Sequence, residues 1–256
     1  MLPPLHIPRI PLPTIDEFYR DYVYPNKPVV ITGMVDDWPA LELWSLKYFR
    51  EKFSEVKVGG IRLKEGEVDV EENRGAPKEK TRFADVLDSV SQGRLDGLAL
   101  VSLVNSFPDI LKNDYRVPAY CKDGRFPVSR LFVGPVGGIS PMHQDYPENI
   151  YVMVKGIKRI TLFHPDAPVY PMRFSRMPNH SAVNIDKPDY KKYPKLRYAQ
   201  PYVVDLKGGE TLFIPSFWWH YVRNIDTCIS MNFWWSRGWL IYVSWLAGIY
   251  KKWIKK

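Results

Sequence analysis

Three residues have the types and spacing for metal chemistry. Ser140-Pro-Met-His-Gln-Asp145 sets an imidazole, His143, two residues before a carboxylate, Asp145. In a strand, residues i and i+2 face the same way, so both groups would point to one side. They can take two adjacent sites on a metal, and a third ligand must arrive from a neighbouring strand. His220, after Pro215-Ser-Phe-Trp-Trp219, is the best candidate. Two His and one carboxylate form the facial set that holds a non-haem Fe(II) and leaves three positions of the octahedron open. A bidentate 2-oxo acid fills two of these, and O2 takes the last. One ligand charge against two on iron leaves the site cationic, which suits an anionic cosubstrate.

A lone His-x-Asp occurs in many surface turns, so the supporting residues decide. In Lys158-Arg-Ile-Thr-Leu-Phe163, alternation puts Lys158 on one face with Ile160 and Leu162. A lysine turned into a core is costly unless an anion meets it, and the distal carboxylate of 2-oxoglutarate would be that anion. The alternative is a lysine at the strand end that reaches back to water. His6, His164 and His180 sit in a leader, at a loop start and in a Pro-rich stretch. They are read as structural or solvent-facing. Cys121 and Cys228 are read as plain small residues, too few for a disulfide framework or a thiolate zinc site.

The elements that must position these groups can be followed along the chain. Residues 1–13 carry five prolines and read as an extended leader. Thr14-Ile-Asp-Glu17 is a capping box that starts a short helix. Lys27 to Gly33 reads as a buried strand, Asp37-Trp-Pro39 as a turn, Leu46 to Phe53 as a helix and Val56 to Leu63 as a strand. Residues 64–80 are polar and read as a mobile loop, and Phe83 to Val90 as a helix started by Thr81. From about residue 98, short runs rich in Val, Ile and aromatics recur between Gly and Pro. They are Leu131–Val133, Asn149–Val154, Lys158–Phe163, Pro201–Asp205, Thr211–Ile214, Trp218–Val222 and Ile229–Trp235. They predict a sandwich or barrel of short strands, interrupted by a Pro-rich insert at 165–200. Residues 237–256 read as an amphipathic helix that packs on its own domain, on a twin subunit in a homodimer, or on a membrane surface.

Composition fits one well-buried domain. The chain has 256 residues, 45% hydrophobic and 14% aromatic, with 23 prolines that weigh against a long helical bundle. The start has no basic region followed by an apolar run, and the longest apolar stretch, Trp239 to Tyr250, is too short to span a bilayer. A reducing cytoplasm is the expected setting. The net charge is +8, with Lys251, Lys252, Lys255 and Lys256 at the end. That is either a solvated tail or a patch for RNA or an anionic surface.

Residues 131 to 163, with Gly208-Gly-Glu-Thr-Leu-Phe-Ile-Pro-Ser-Phe-Trp-Trp-His220 and Asn232-Phe-Trp-Trp235, resemble the JmjC-domain, cupin-like hydroxylases. These are the relatives of the asparaginyl hydroxylase that acts on hypoxia-inducible factor. Val183-Asn-Ile-Asp-Lys-Pro-Asp189 resembles the insert of that group, and Lys27 to Gly33 with Trp38 and Trp44 its N-terminal portion. The resemblance covers residues 14 to 236, with the catalytic core at about 98–236. It implies a mainly β (α+β) fold: a double-stranded β-helix of the cupin or jelly-roll type, with flanking N-terminal helices and a short C-terminal helix. It implies Fe(II) on His143, Asp145 and His220, and 2-oxoglutarate held by Lys158 and Ser140. Asn149 would lie beside the cosubstrate, with Asn232 and Trp234 lining the pocket. With O2, these would hydroxylate a C–H bond, most simply on a protein or peptide side chain. A tRNA base is the rival acceptor, as in the related wybutosine hydroxylase. A non-catalytic cupin-like binding module and a cupin enzyme that needs no keto acid are rivals of other kinds. Asp145 where many histone demethylases have Glu, and the lack of reader modules, point away from chromatin. Several of these hydroxylases carry a tyrosine that touches 2-oxoglutarate where this chain has Leu98 after Gly97, so another tyrosine substitutes or the pocket is looser. Trp218, Trp219, Trp234 and Tyr146 are expected at the entry.

Overall fold

The computed structural model describes residues 1–69, 80–121, 125–172 and 177–238, together with Tyr242 and Leu246. The first 103 residues hold strands β1 (Leu5–His6), β2 (Arg9–Pro11), β3 (Val29–Thr32), β4 (Lys57–Lys64), β5 (Glu67–Val68), β6 (Lys80–Arg82) and β7 (Leu98–Leu103). They also hold helices α1 (Ile15–Phe18), α2 (Ala40–Leu43), α3 (Leu46–Phe53) and α4 (Phe83–Ser91). The rest is β8 (Arg125–Gly134), β9 (Ile139–Gln144), β10 (Glu148–Lys155), β11 (Ile157–Phe163), β12 (Tyr202–Lys207), β13 (Thr211–Ile214), β14 (Trp219–Asn224) and β15 (Cys228–Ser236).

The strands form two layers. One runs β2-β3-β13-β10-β15-β8-β7-β4, and the other β1-β12-β11-β14-β9-β5, joined through the β4–β5 hairpin. Pairing is antiparallel except at β1–β12, β2–β3 and β5–β9. This is the jelly-roll expected, and the residues 1–13 read as a leader supply edge strands to both layers.

Three apolar clusters follow from strand alternation. On β10 and β15, Ile150, Val152, Ile229, Met231 and Phe233 pack outward against Phe18, Trp44, Phe49 and Phe83 of the helical flank. Each such side chain contributes roughly 1.5–3 kcal/mol of burial. Their neighbours turn inward, where Tyr151 and Met153 meet Ile160 and Leu162 of the opposite layer. The third cluster lies on the outer face of β9 and β14. There Met142, Trp219 and Tyr221 are covered by Val169, Val183 and Leu196 of the insert. Turns hold that insert: Asn184 Oδ1 accepts from the backbone N–H groups of Asp186 and Lys187, and Asp189 Oδ1 from those of Lys191 and Lys192.

The capping box forms, with Thr14 and Glu17 bonded reciprocally. Two local expectations change. Thr81 does not start α4, because Lys80–Arg82 is still extended and paired with β4, so Arg82 precedes the helix and offers no side-chain cap. The polar stretch at 64–80 begins with a turn at Glu65 and Gly66, both at positive φ, and returns as β5. Its residues 70–79 lie outside the described residues. So does most of the C-terminal helix, and with it the dimer contact expected there. Beyond residue 238 only Tyr242 and Leu246 are described, helical in backbone and exposed. Cys121 and Cys228 are buried and unpaired.

Candidate active site

His143 and His220 face each other directly across the β9–β14 ladder, with ring centroids 4.1 Å apart. Asp145 follows β9 by one residue, and its Oδ2 lies 3.7 Å from His220 Nε2. One ligand atom from each of the three residues lies within 4.8 Å of the others. The rings are set by their own backbone. His143 Nδ1 is 2.7 Å from the Pro141 carbonyl and His220 Nδ1 3.0 Å from the Trp218 carbonyl. A carbonyl only accepts, so each Nδ1 carries the proton and each Nε2 offers a lone pair to the shared space. Burial, together with the neighbouring His143, pushes the His220 pKa down, and Asp145 only partly opposes this. The neutral imidazole is the form a metal takes. Trp234 Nε1 donates to Asp145 Oδ2 at 2.8 Å and fixes the carboxylate. This donor set fits a divalent iron with open positions.

A register shift brings a fourth residue to the same side. His220 pairs with His143 but Val222 pairs with Ser140, so two steps on β14 face three on β9. This bulge lets Ser140 and His143, three apart, both reach the cavity wall.

Lys158 is buried, 5% exposed, on the face it shares with Ile160 and Leu162. Its Nζ donates to Tyr151 Oη at 2.5 Å and to Ser230 Oγ at 2.9 Å, and lies over the rings of Tyr151 and Phe132. Tyr151 and Ser230 sit 3.1 Å apart. Tyr151 thus brings a phenol to the lysine in a chain whose Leu98 leaves the other position without one. Asn149 and Asn232 are buried on the same inward faces, and Asn232 Nδ2 donates to Asn149 Oδ1 at 3.2 Å. Asn149 Nδ2 and Asn232 Oδ1 have no partner among the described residues. A cationic, hydroxyl-lined end with unused polar groups fits a dicarboxylate.

Two cavities connect these groups. The larger, about 350 Å³, is lined by His143, Asp145, Ser140, Phe132 and Trp234. The smaller, about 40 Å³, is lined by Lys158 and again by Ser140 and Phe132. Of the four aromatics expected at the entry, only Trp234 lines the larger cavity. Trp219 and Trp218 belong to the third and second clusters, and Tyr146 packs on Phe217 at 5.8 Å. Tryptophans 218 and 219 precede His220 and cannot both share its face. His180 stays outside the metal-ready cluster, as read, but it has a structural place beside it. The insert pairs with β9 through a His143–His180 bridge, and the rings lie 5.3 Å apart at 19°. Its place in a Pro-rich stretch gave no signal of this. Tyr151 and Ser230 were within reach of alternation, each two residues from an asparagine already singled out.

A jelly-roll with this metal-ready constellation at its inner face defines the cupin class. A model of the cupin-like domain matches residues 15–238, and the chain belongs to that family. Relatives include lysine-specific demethylase 8 of Xenopus tropicalis, 32% identical over 90% of this chain and 53% of its own length. Human JMJD7, described as a bifunctional peptidase and (3S)-lysyl hydroxylase, is 29% identical over 91% of this chain and 85% of its own. Lysine-specific demethylase JMJ30 of Arabidopsis thaliana is 32% identical over 87% and 53%. The chain spans little more than half the length of the demethylase 8 relatives, 53% and 59%.

Proposed function

We propose that this chain is an Fe(II)- and 2-oxoglutarate-dependent oxygenase that hydroxylates a C–H bond of a protein side chain. The observation that carries it is the pairing of two features in one interior: the His143–Asp145–His220 cluster and the buried ammonium of Lys158, which has no carboxylate partner among the described residues. The overall change is R–H + O2 + 2-oxoglutarate → R–OH + succinate + CO2. Bound iron supplies the redox chemistry that couples decarboxylation to C–H oxidation. The chain supplies placement. His143, Asp145 and His220 hold the metal, with Trp234 fixing the Asp145 carboxylate. Lys158, assisted by Tyr151, Ser230 and Ser140, receives the distal carboxylate. His180 stacks on His143. The phenol of Tyr151 answers the absence of a tyrosine at Leu98, which supports an intact pocket over a vestigial one. Relatives named for lysine chemistry support a protein acceptor.

The test is anaerobic titration of the apo-protein with Fe(II) and then 2-oxoglutarate, followed by the visible charge-transfer band of the chelate. A band that needs both additions and is lost in His143→Ala supports the assignment. No band in a folded protein refutes it in favour of a binding module.

A further inference from the structure

Arg130 is the one cation among the described side chains that line the larger cavity, and Asp145 is the one carboxylate there. Strand β8 sends Val128, Arg130 and Phe132 to the same wall. Phe132 also lines the small cavity at Lys158, and Gly134, two residues further on, lines only that one. Arg130 therefore stands one two-residue step, roughly 7 Å, from Phe132 on the side away from the lysine end, in a cavity that Val128 and Met177 also line. Its guanidinium lies over the Trp234 ring, 5.6 Å from the centroid. It has no hydrogen bond or ion pair with a described residue. Burial pushes its pKa down, opposed by the charge of Asp145. A half-buried guanidinium has five donors in a planar fork suited to a carboxylate.

The charges of the described wall disfavour one class of acceptor. A lysine ammonium entering this cavity would meet Arg130 and, among the described residues, find only Asp145, which is committed to the metal, as a counter-charge. An anion from the acceptor would pair with Arg130 and relieve its desolvation.

We propose that Arg130 is the specificity-determining residue for the acceptor, and that the acceptor is an acidic side chain, aspartyl or glutamyl, of a protein. The inference rests on the oxygenase assignment above and narrows its substrate. It separates this chain from the lysine chemistry in the names of its relatives, because those names require a counter-charge that the described wall lacks.

The experiment uses the full chain loaded anaerobically with Fe(II) and 2-oxoglutarate, so that the cosubstrate pocket is filled. Four pools of immobilised, capped nonapeptides have degenerate flanks and a fixed centre of Asp, Glu, Asn or Lys. Retention on the Asp or Glu pool should exceed that on the Lys pool by about tenfold or more. Arg130→Gln should bring the pools within about twofold of each other, and Arg130→Lys should restore part of the preference. The charge-transfer band should survive in Arg130→Gln. Equal retention on all pools, preference for Lys, or an acidic preference that persists in Arg130→Gln overturns the proposal. Loss of the band in that variant also overturns it, since Arg130 would then serve the cosubstrate. Displacement from the acidic pools by a stoichiometric mixed-sequence RNA 12-mer overturns it in favour of phosphate. Absence of the band in the wild-type protein refutes the oxygenase assignment itself, and the peptide preference is read independently of it.

Discussion

Replacing Lys158 by Met should strengthen the empty fold and destroy its response to cosubstrate. Lys158 is 5% exposed, and its ammonium has two hydroxyl acceptors, Tyr151 and Ser230, at 2.5 and 2.9 Å. Hydrogen bonds from a charged donor contribute roughly 1.5–3 kcal/mol each. Taking the charge out of water costs several kcal/mol, and no described carboxylate offsets it. The two sides nearly cancel. Methionine fills a similar volume without the charge, while Tyr151 and Ser230, 3.1 Å apart, remain bonded to each other. Exchanges of this kind are neutral or stabilising by about 1–4 kcal/mol. A gain of about 2 kcal/mol raises the melting temperature by roughly 4–8 °C in a chain of this size. Ligand acts the other way. At a hundred times its Kd, 2-oxoglutarate adds about 2.7 kcal/mol to the wild type and nothing to the variant. Anaerobic thermal melts with and without Fe(II) and 2-oxoglutarate should therefore reverse in order. The variant melts level with or above the wild type when empty, and below it when loaded. A variant that melts well below the empty wild type would make Lys158 a structural residue. A variant that gains as much from 2-oxoglutarate as the wild type would remove it from the cosubstrate site.

Three further outcomes follow from the same geometry. Trp234→Phe removes the N–H held by Asp145 Oδ2 at 2.8 Å and should weaken Co(II) or Fe(II) binding roughly 10- to 100-fold. Its circular dichroism should be unchanged, and unaltered affinity in a metal titration would contradict the role given to this bond. Burial pushes the thiol of Cys121 up to about 12 and raises that of Cys228. Both shifts disfavour the reactive thiolate and both thiols are buried, so a thiol reagent should label the native protein slowly and both cysteines promptly in urea. Rapid native labelling would count against both placements. Gly156, between β10 and β11, has φ +86, and an added Cβ would come within 2.5 Å of the Thr227 carbonyl. Gly156→Ala should lower the urea midpoint by the equivalent of roughly 2 kcal/mol or more, and an unshifted midpoint would show that the turn relaxes freely.

The sequence determined what depends on parity along a single strand. His143 and Asp145 are two residues apart, and Lys158 alternates with Ile160 and Leu162, so their faces follow from the period of a strand wherever the sheet lies. The run of short β-segments gave a sandwich or barrel for a similar reason, since apolar runs cut by Gly and Pro must pair to satisfy their backbones, and the jelly-roll itself was what the family resemblance implied. What lies across strands was decided only by the tertiary structure. The β9–β14 register places His220 opposite His143, and its bulge admits Ser140 as well. The insert returns to β9 and brings His180 against His143, although thirty-odd residues of loop carry no periodic signal of where they end. Arg130 becomes a cavity residue only because β15 pairs it with Asn232 and sets Trp234 beneath its guanidinium. Alternation assigns a side chain to a face. Register and loop closure assign its neighbours, and those depend on contacts between residues far apart in the chain.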